Sequence, residues 1–155
     1  MKALDSAGLP PQRLVLEITE SVLLGKTDTA RRSLARLKGL GVGMSVDDFG
    51  TGYSNLVYVK DLPVDFLKID RMFVRDMERS SVAREIVAGT ITMAHRMNLR
   101  VVAEGVESAE QFYMLRSMEC DSAQGYLFGA ALPAMELEGR YLCRGGSRHS
   151  SFLLR

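Results

Sequence analysis

Val46-Asp47-Asp48-Phe49-Gly50-Thr51-Gly52-Tyr53-Ser54 is the stretch on which the reading of this chain turns. An apolar segment, Val42 to Val46, leads into it and reads as a buried strand; two glycines and then helix formers follow. Two adjacent carboxylates at the mouth of a strand repel each other and are costly to desolvate. They suit a place where a cation neutralises them or where one must titrate. The glycines allow the loop backbone to approach a ligand closely. On local chemistry alone, an Asp pair that merely caps the next helix is the competing reading.

Upstream of this stretch, Leu14-Val15-Leu16-Glu17-Ile18 is an apolar run with a glutamate inside it, costly unless paired or metal-bound. Thr27 or Asp28 opens a helix with Ala30, Leu34, Leu37 and Leu40 on one side, and with Arg31, Arg32, Arg36 and Lys38 on a solvated face. Residues 1–8 read as the end of a helix stopped by Gly8-Leu9-Pro10-Pro11, an abrupt start that leads us to expect a missing upstream part.

Downstream, Asn55 to Lys60 reads as a short helix, and Val64 to Ile69 as a strand with Lys68 inside it and Asp70 at its exit. Lys68 either snorkels to the surface or belongs to a site. Ser80 or Ser81 caps a helix carrying Val82, Ile86, Val87, Ile91, Ala94 and Met97; His95 reads as a helix-face residue, Met93 and Met97 as core filler. Arg100 to Glu107 repeats the earlier pattern of apolar strand, glutamate, glycine and second glutamate. Ser108 and Gln111 form a capping box. A short strand then ends at Gln124 and Gly125, a last helix runs from about Ala134 to Leu142, and residues 143–155 read as a disordered tail.

The bulk numbers bound the class. A chain of 155 residues that is 46% hydrophobic and 25% charged suits one globular domain. Its net charge of +1 supplies no field for non-specific binding to a nucleic-acid polymer or an anionic membrane. Cys120 and Cys143 are too few for a disulfide framework and fit no zinc spacing, so a cytoplasmic location is expected. No apolar run reaches the roughly 18 residues of a membrane span, although a longer parent protein has room to be tethered.

Five strand–helix units, with strands near 13–18, 42–47, 64–69, 100–104 and 121–124, predict an α/β fold: part of a (β/α)8 TIM-type barrel, about five of its eight units. Each strand places a polar residue at its C-terminal end: Glu17, Asp47 with Asp48, Lys68, Glu104 and Gln124. A barrel builds its active site at that face. The all-oxygen set Glu17, Asp47, Asp48 and Glu104 suits Mg²⁺ or Mn²⁺. A metal pair about 3.5–4 Å apart sharing Asp47, with Lys68 on a phosphate or a water, would hydrolyse a phosphate ester. The same set would serve proton abstraction beside a carboxylate, with Lys68 as base.

Taken together, Glu17-Ile18-Thr19-Glu20-Ser21, the Asp47–Ser54 stretch, Leu67-Lys68-Ile69-Asp70, Val102-Ala103-Glu104-Gly105-Val106-Glu107 and Gln124-Gly125-Tyr126-Leu127-Phe128 resemble the EAL domain family over about residues 1–142. These are bacterial phosphodiesterases that linearise cyclic di-GMP to pGpG. The resemblance implies that Glu17 and Asp47 bind metal and that Asp48 serves a second metal. It gives Lys68 the attacking water or a phosphate oxygen, and Glu104 metal or general-base work. Glu107 and Gln124, with Gly125 beside it, would complete the catalytic and substrate-binding site. Glu20 would brace the loop of Phe49, Gly50, Thr51 and Gly52, which in the family couples binding to homodimerisation. Fused sensor or diguanylate cyclase domains are common family partners.

The chain also departs from the family. It has no Glu-Ala-Leu triplet, so that glutamate ligand and a later asparagine ligand are expected to be missing, and metal affinity to be reduced. Gly129-Ala130-Ala131-Leu132-Pro133 lacks the basic residue and proline often found there. A non-catalytic cyclic di-GMP receptor or protein-interaction module is the alternative; an unrelated enolase-type barrel is the other.

Overall fold

The computed structural model describes residues 2–19, 28–50, 59–60 and 62–139. Glu20, Thr51, Gly52, most of the helix expected at Asn55–Lys60, and the tail at 143–155 lie outside the described residues.

Helix α1 (Lys2–Ala7) ends at Gly8, whose φ of 60° is the left-handed stop expected there. A 3-10 turn (Pro11–Arg13) leads into β1 (Val15–Ile18), followed by α2 (Asp28–Gly39) and β2 (Gly43–Phe49). Next come β3 (Phe66–Ile69), α3 (Arg71–Asp76), α4 (Ser81–Arg96) and β4 (Arg100–Ala103). The described chain closes with α5 (Ala109–Ser117), β5 (Ser122–Ala123) and α6 (Ala134–Leu137). All five strands pair in parallel in the order β1-β2-β3-β4-β5. Helices join β1 to β2, β3 to β4 and β4 to β5, as right-handed crossovers require, and the five parallel strands are those of a partial TIM-type barrel.

Local chemistry sets the boundaries. Ser80 caps α4 through its hydroxyl, which accepts from Ala83 N. Ser108 and Gln111 form the expected capping box on α5. Two expectations need correcting. β2 does not stop at Asp47; it runs on to Phe49 because Phe49 pairs with Ile69 beyond an irregularity in the ladder. The six-residue α3 had no sequence signal, being too short to show a helical period.

The core lies between the sheet and helices α3–α5, where Leu67, Val74, Met77, Val87, Val101, Ala103 and Leu115 are fully buried. Cys120 belongs to it, and burial pushes its thiol up to about 11. Met93 and Met97 pack against this cluster as filler. Burial is thinner towards β1, whose Val15 is 44% exposed.

The N-terminal end of the sheet is pinned twice by one device. Asp65, just before β3, accepts from Met44 N of β2 at 3.0 Å and pairs with Lys38 at the end of α2. Asp121, just before β5, accepts from Val101 N of β4 at 2.9 Å and meets His95 Nε2, at the end of α4, at 2.8 Å. His95 is thus a structural helix-end residue, as its position suggested.

Candidate metal centre

Along a regular strand, adjacent side chains point to opposite faces. Asp47 and Asp48 escape that rule. Val46 pairs with Leu67 and Phe49 with Ile69, so two residues of β2 face the single Lys68 of β3. This is a β-bulge, and Asp48 takes the left-handed conformation, φ 53°, that absorbs the extra residue. The result is that Asp47, Asp48 and Glu104 each offer a carboxylate oxygen within 4.8 Å of the others. Gly50 (φ 98°) continues the turn; a Cβ there would meet the Phe73 ring of α3 at 2.8 Å.

Lys68 does not snorkel. Its side chain is 6% exposed, and Nζ lies 2.5 Å from Glu104, 2.7 Å from Glu17 and 2.9 Å from Asp47. Burial pushes the ammonium's pKa down, but the contacts with Glu104, Glu17 and Asp47 outweigh it and hold the group well above the ordinary lysine value. Three carboxylates thus favour the charged form of Lys68, which counts against its serving as the base of the proton-abstraction reading.

The carboxylates remain under-neutralised. Burial, reinforced by Asp47 and Glu17, holds Glu104 above its usual range although Lys68 pulls it down. Desolvation and then the charges of Asp47 and Asp70 raise Asp48. Asp47 Oδ1 is buried and, apart from its ion-pair contact with Lys68, has no hydrogen-bond partner. A buried carboxylate oxygen whose one close partner is the shared Lys68 ammonium, beside two carboxylates of raised pKa, fits a hard divalent cation. Asp47, Asp48 and Glu104 are the residues that would hold it.

Other expected site residues fall around this centre. Glu17 is half exposed and reaches it through Lys68. Gln124 Nε2 donates to Glu104 Oε1 at 2.9 Å, fixing that carboxylate from the β5 side. Gly125 is required where it stands, because a Cβ would collide with the backbone N and O of Val106. That crossing is locked by Val106 N to Gln124 O and Leu127 N to Val106 O, both at 3.0 Å. Phe49 is half-buried against the core. Glu107 stands apart from the three-carboxylate cluster, its side chain exposed. Sequence reasoning gave no role to Asp70, which caps α3 by accepting from Met72 N at 2.7 Å. Its signal was an aspartate at a strand exit, directly before helix formers.

A parallel barrel-type sheet with acidic residues converging at the C-terminal ends of its strands has the site placement of the (β/α) barrel class. The chain belongs to the EAL domain family, whose model matches residues 1–131. It is 48% identical over 136 residues to the cyclic di-GMP phosphodiesterase NbdA of Pseudomonas aeruginosa, covering 88% of this chain and 17% of that protein. The solved MucR phosphodiesterase of the same organism, in complex with c-di-GMP, superposes with a TM-score of 0.81 at 43% identity, covering 88% of this chain and 55% of that one. Klebsiella pneumoniae BlrP1, in its manganese and cyclic di-GMP complex at pH 9.0, gives a TM-score of 0.77 at 35% identity over 83% of this chain and 33% of that one. The chain thus spans about a fifth of the length of the curated relatives it matches.

Proposed function

We propose that the chain is the C-terminal part of a phosphodiesterase domain that hydrolyses cyclic di-GMP to pGpG with Mg²⁺ or Mn²⁺. The observation that carries this reading is the bulge that brings carboxylate oxygens of Asp47, Asp48 and Glu104 within 4.8 Å of one another. The relatives named cyclic di-GMP phosphodiesterases, and the manganese-bound BlrP1, support it.

When bound, divalent ions would activate water and stabilise the leaving oxygen. Water oxygen forms a bond to phosphorus, the bond from phosphorus to the sugar O3′ breaks, and O3′ leaves with a proton. Asp47, Asp48 and Glu104 would hold metal, with Glu17 as a further ligand from the Lys68 side and Asp48 serving a second ion. Lys68, fixed and protonated, faces the water or a phosphate oxygen. Gln124 keeps Glu104 turned inward, and Glu107 at the rim is the carboxylate free to move a proton. The span is residues 1–142, with 143–155 as a tail. A cytoplasmic homodimer, joined to sensor or diguanylate cyclase domains, belongs to the same proposal; the MucR relative is named for both activities. Among the described residues no helix is long and apolar enough to cross a membrane.

The test is cyclic di-GMP turnover by the 155-residue chain in Mg²⁺, with Glu104→Ala as control. Formation of pGpG that the variant abolishes supports the reading. A folded chain that binds the nucleotide without cleaving it is a receptor instead.

A further inference from the structure

We propose that Arg71 is an anion-holding residue of this site, whose guanidinium takes the phosphate of the cyclic dinucleotide that is not being cleaved. The assignment rests on the phosphodiesterase reading above.

Placement is the first observation. Arg71 opens α3 directly after β3 ends at Ile69 and Asp70, so it stands at the C-terminal face of the sheet. Gly105, the neighbour of Glu104, packs against it: a Cβ on Gly105 would collide with Arg71 Cβ and lie 3.3 Å from Arg71 Cα. The arginine stem therefore leaves the fold beside the metal-binding acid.

Availability is the second. Arg71 is exposed, and among the described residues its guanidinium makes no hydrogen bond or ion pair. The cations of β3, α3 and the first turn of α4 are otherwise committed: Lys68 to three carboxylates, Arg75 to Asp76, and Arg84 to the carbonyl oxygen of Met77. Nor does Arg71 serve its own helix, because a cation in the first turn opposes the helix dipole.

Ligand chemistry is the third. A cyclic dinucleotide carries two phosphodiester anions. The carboxylate cluster and its ions handle one, while Glu17, Asp47, Asp48 and Glu104 repel the other. A guanidinium presents paired N–H donors that match phosphate oxygens, which an ammonium does not.

The experiment is calorimetric titration of cyclic di-GMP into the 155-residue chain in Ca²⁺, the ion in a second BlrP1 complex with this nucleotide. Wild type, Arg71→Ala and Arg71→Lys are compared, each with a thermal melt. Arg71→Ala keeps the Cβ that touches Gly105, so its melt should match wild type. Its affinity should fall about 10- to 100-fold, the loss of one charge-assisted hydrogen-bonded contact, with Arg71→Lys in between. Unchanged affinity in Arg71→Ala, or a loss matched by a lowered melt, overturns the assignment. Absence of binding by wild type overturns the phosphodiesterase reading itself, and this assignment with it.

Discussion

The two ends of the sheet gather charged groups from neighbouring strands, and they treat them in opposite ways. At the N-terminal end each aspartate has one cationic or imidazole partner and one backbone donor: Asp65 holds Lys38 and Met44 N, and Asp121 holds His95 and Val101 N. Burial raises Asp65, but the bonds from Lys38 and Met44 outweigh it and leave its pKa lowered. At the C-terminal end three carboxylates share the single ammonium of Lys68, and Asp48 and Glu104 are raised. A satisfied network stabilises a fold. An unsatisfied one held rigid by that fold is ready for a ligand.

Substitutions at the two ends should therefore fail differently. Asp47→Ala should lower divalent-metal affinity by more than the about 10- to 100-fold typical of outer-shell changes, while the urea midpoint stays level or rises. Isothermal titration with Mn²⁺ and a denaturation curve decide this together; a collapsed fold would erase the contrast. Asp121→Ala should cost about 2–3 kcal/mol of stability, since Val101 N–H is left buried without an acceptor, and should leave metal affinity alone. Urea unfolding reads the first quantity, and an unchanged midpoint would show that water or His95 replaces the carboxylate.

The smallest effect concerns pH. A lowered carboxylate such as Asp65 contributes stability above its unfolded pKa, and this is lost as acid protonates it in the folded state. Raised groups such as Asp48 have the reverse sign: their favourable contribution is present below the unfolded pKa and disappears as pH rises through the folded one. Metal-free Asp48→Asn should thus be slightly more stable than wild type at pH 7, by on the order of 0.5 kcal/mol or less because the site is exposed. The gap should close as pH falls through the carboxylate range. Melts from pH 7 to pH 4 measure it, and a gap that widens in acid would refute the sign.

Much of this arrangement is legible in the chain because buried parallel strands read as apolar runs, and each run here closes on a polar residue. Glu17, Asp47, Lys68, Glu104 and Gln124 stand out for that reason. The bulge does not. Strict alternation would send Asp47 and Asp48 to opposite faces, and the slip that unites them is a property of two paired strands rather than of either one. The Asp65 and Asp121 pins are hidden similarly, since in sequence both are merely acids in a loop. Their signal is a repeated spacing: a base near the helix end, the strand start, then the acid, as Lys38, Met44 and Asp65 and again as His95, Val101 and Asp121. Arg71 and Phe73 ride on a helix too short to announce itself.

The crossing of the Gln124–Leu127 segment over Val106 has a further consequence, for self-association. Because that crossing anchors the segment, β5 needs only two ladder residues, Ser122 and Ala123. An edge so short offers little template to a strand from another molecule. The opposite edge, β1, presents four residues with Val15 44% exposed. Among the described strands β1 is thus the more exposed edge, and in the 155-residue polypeptide Val15→Lys should lower light scattering at high concentration.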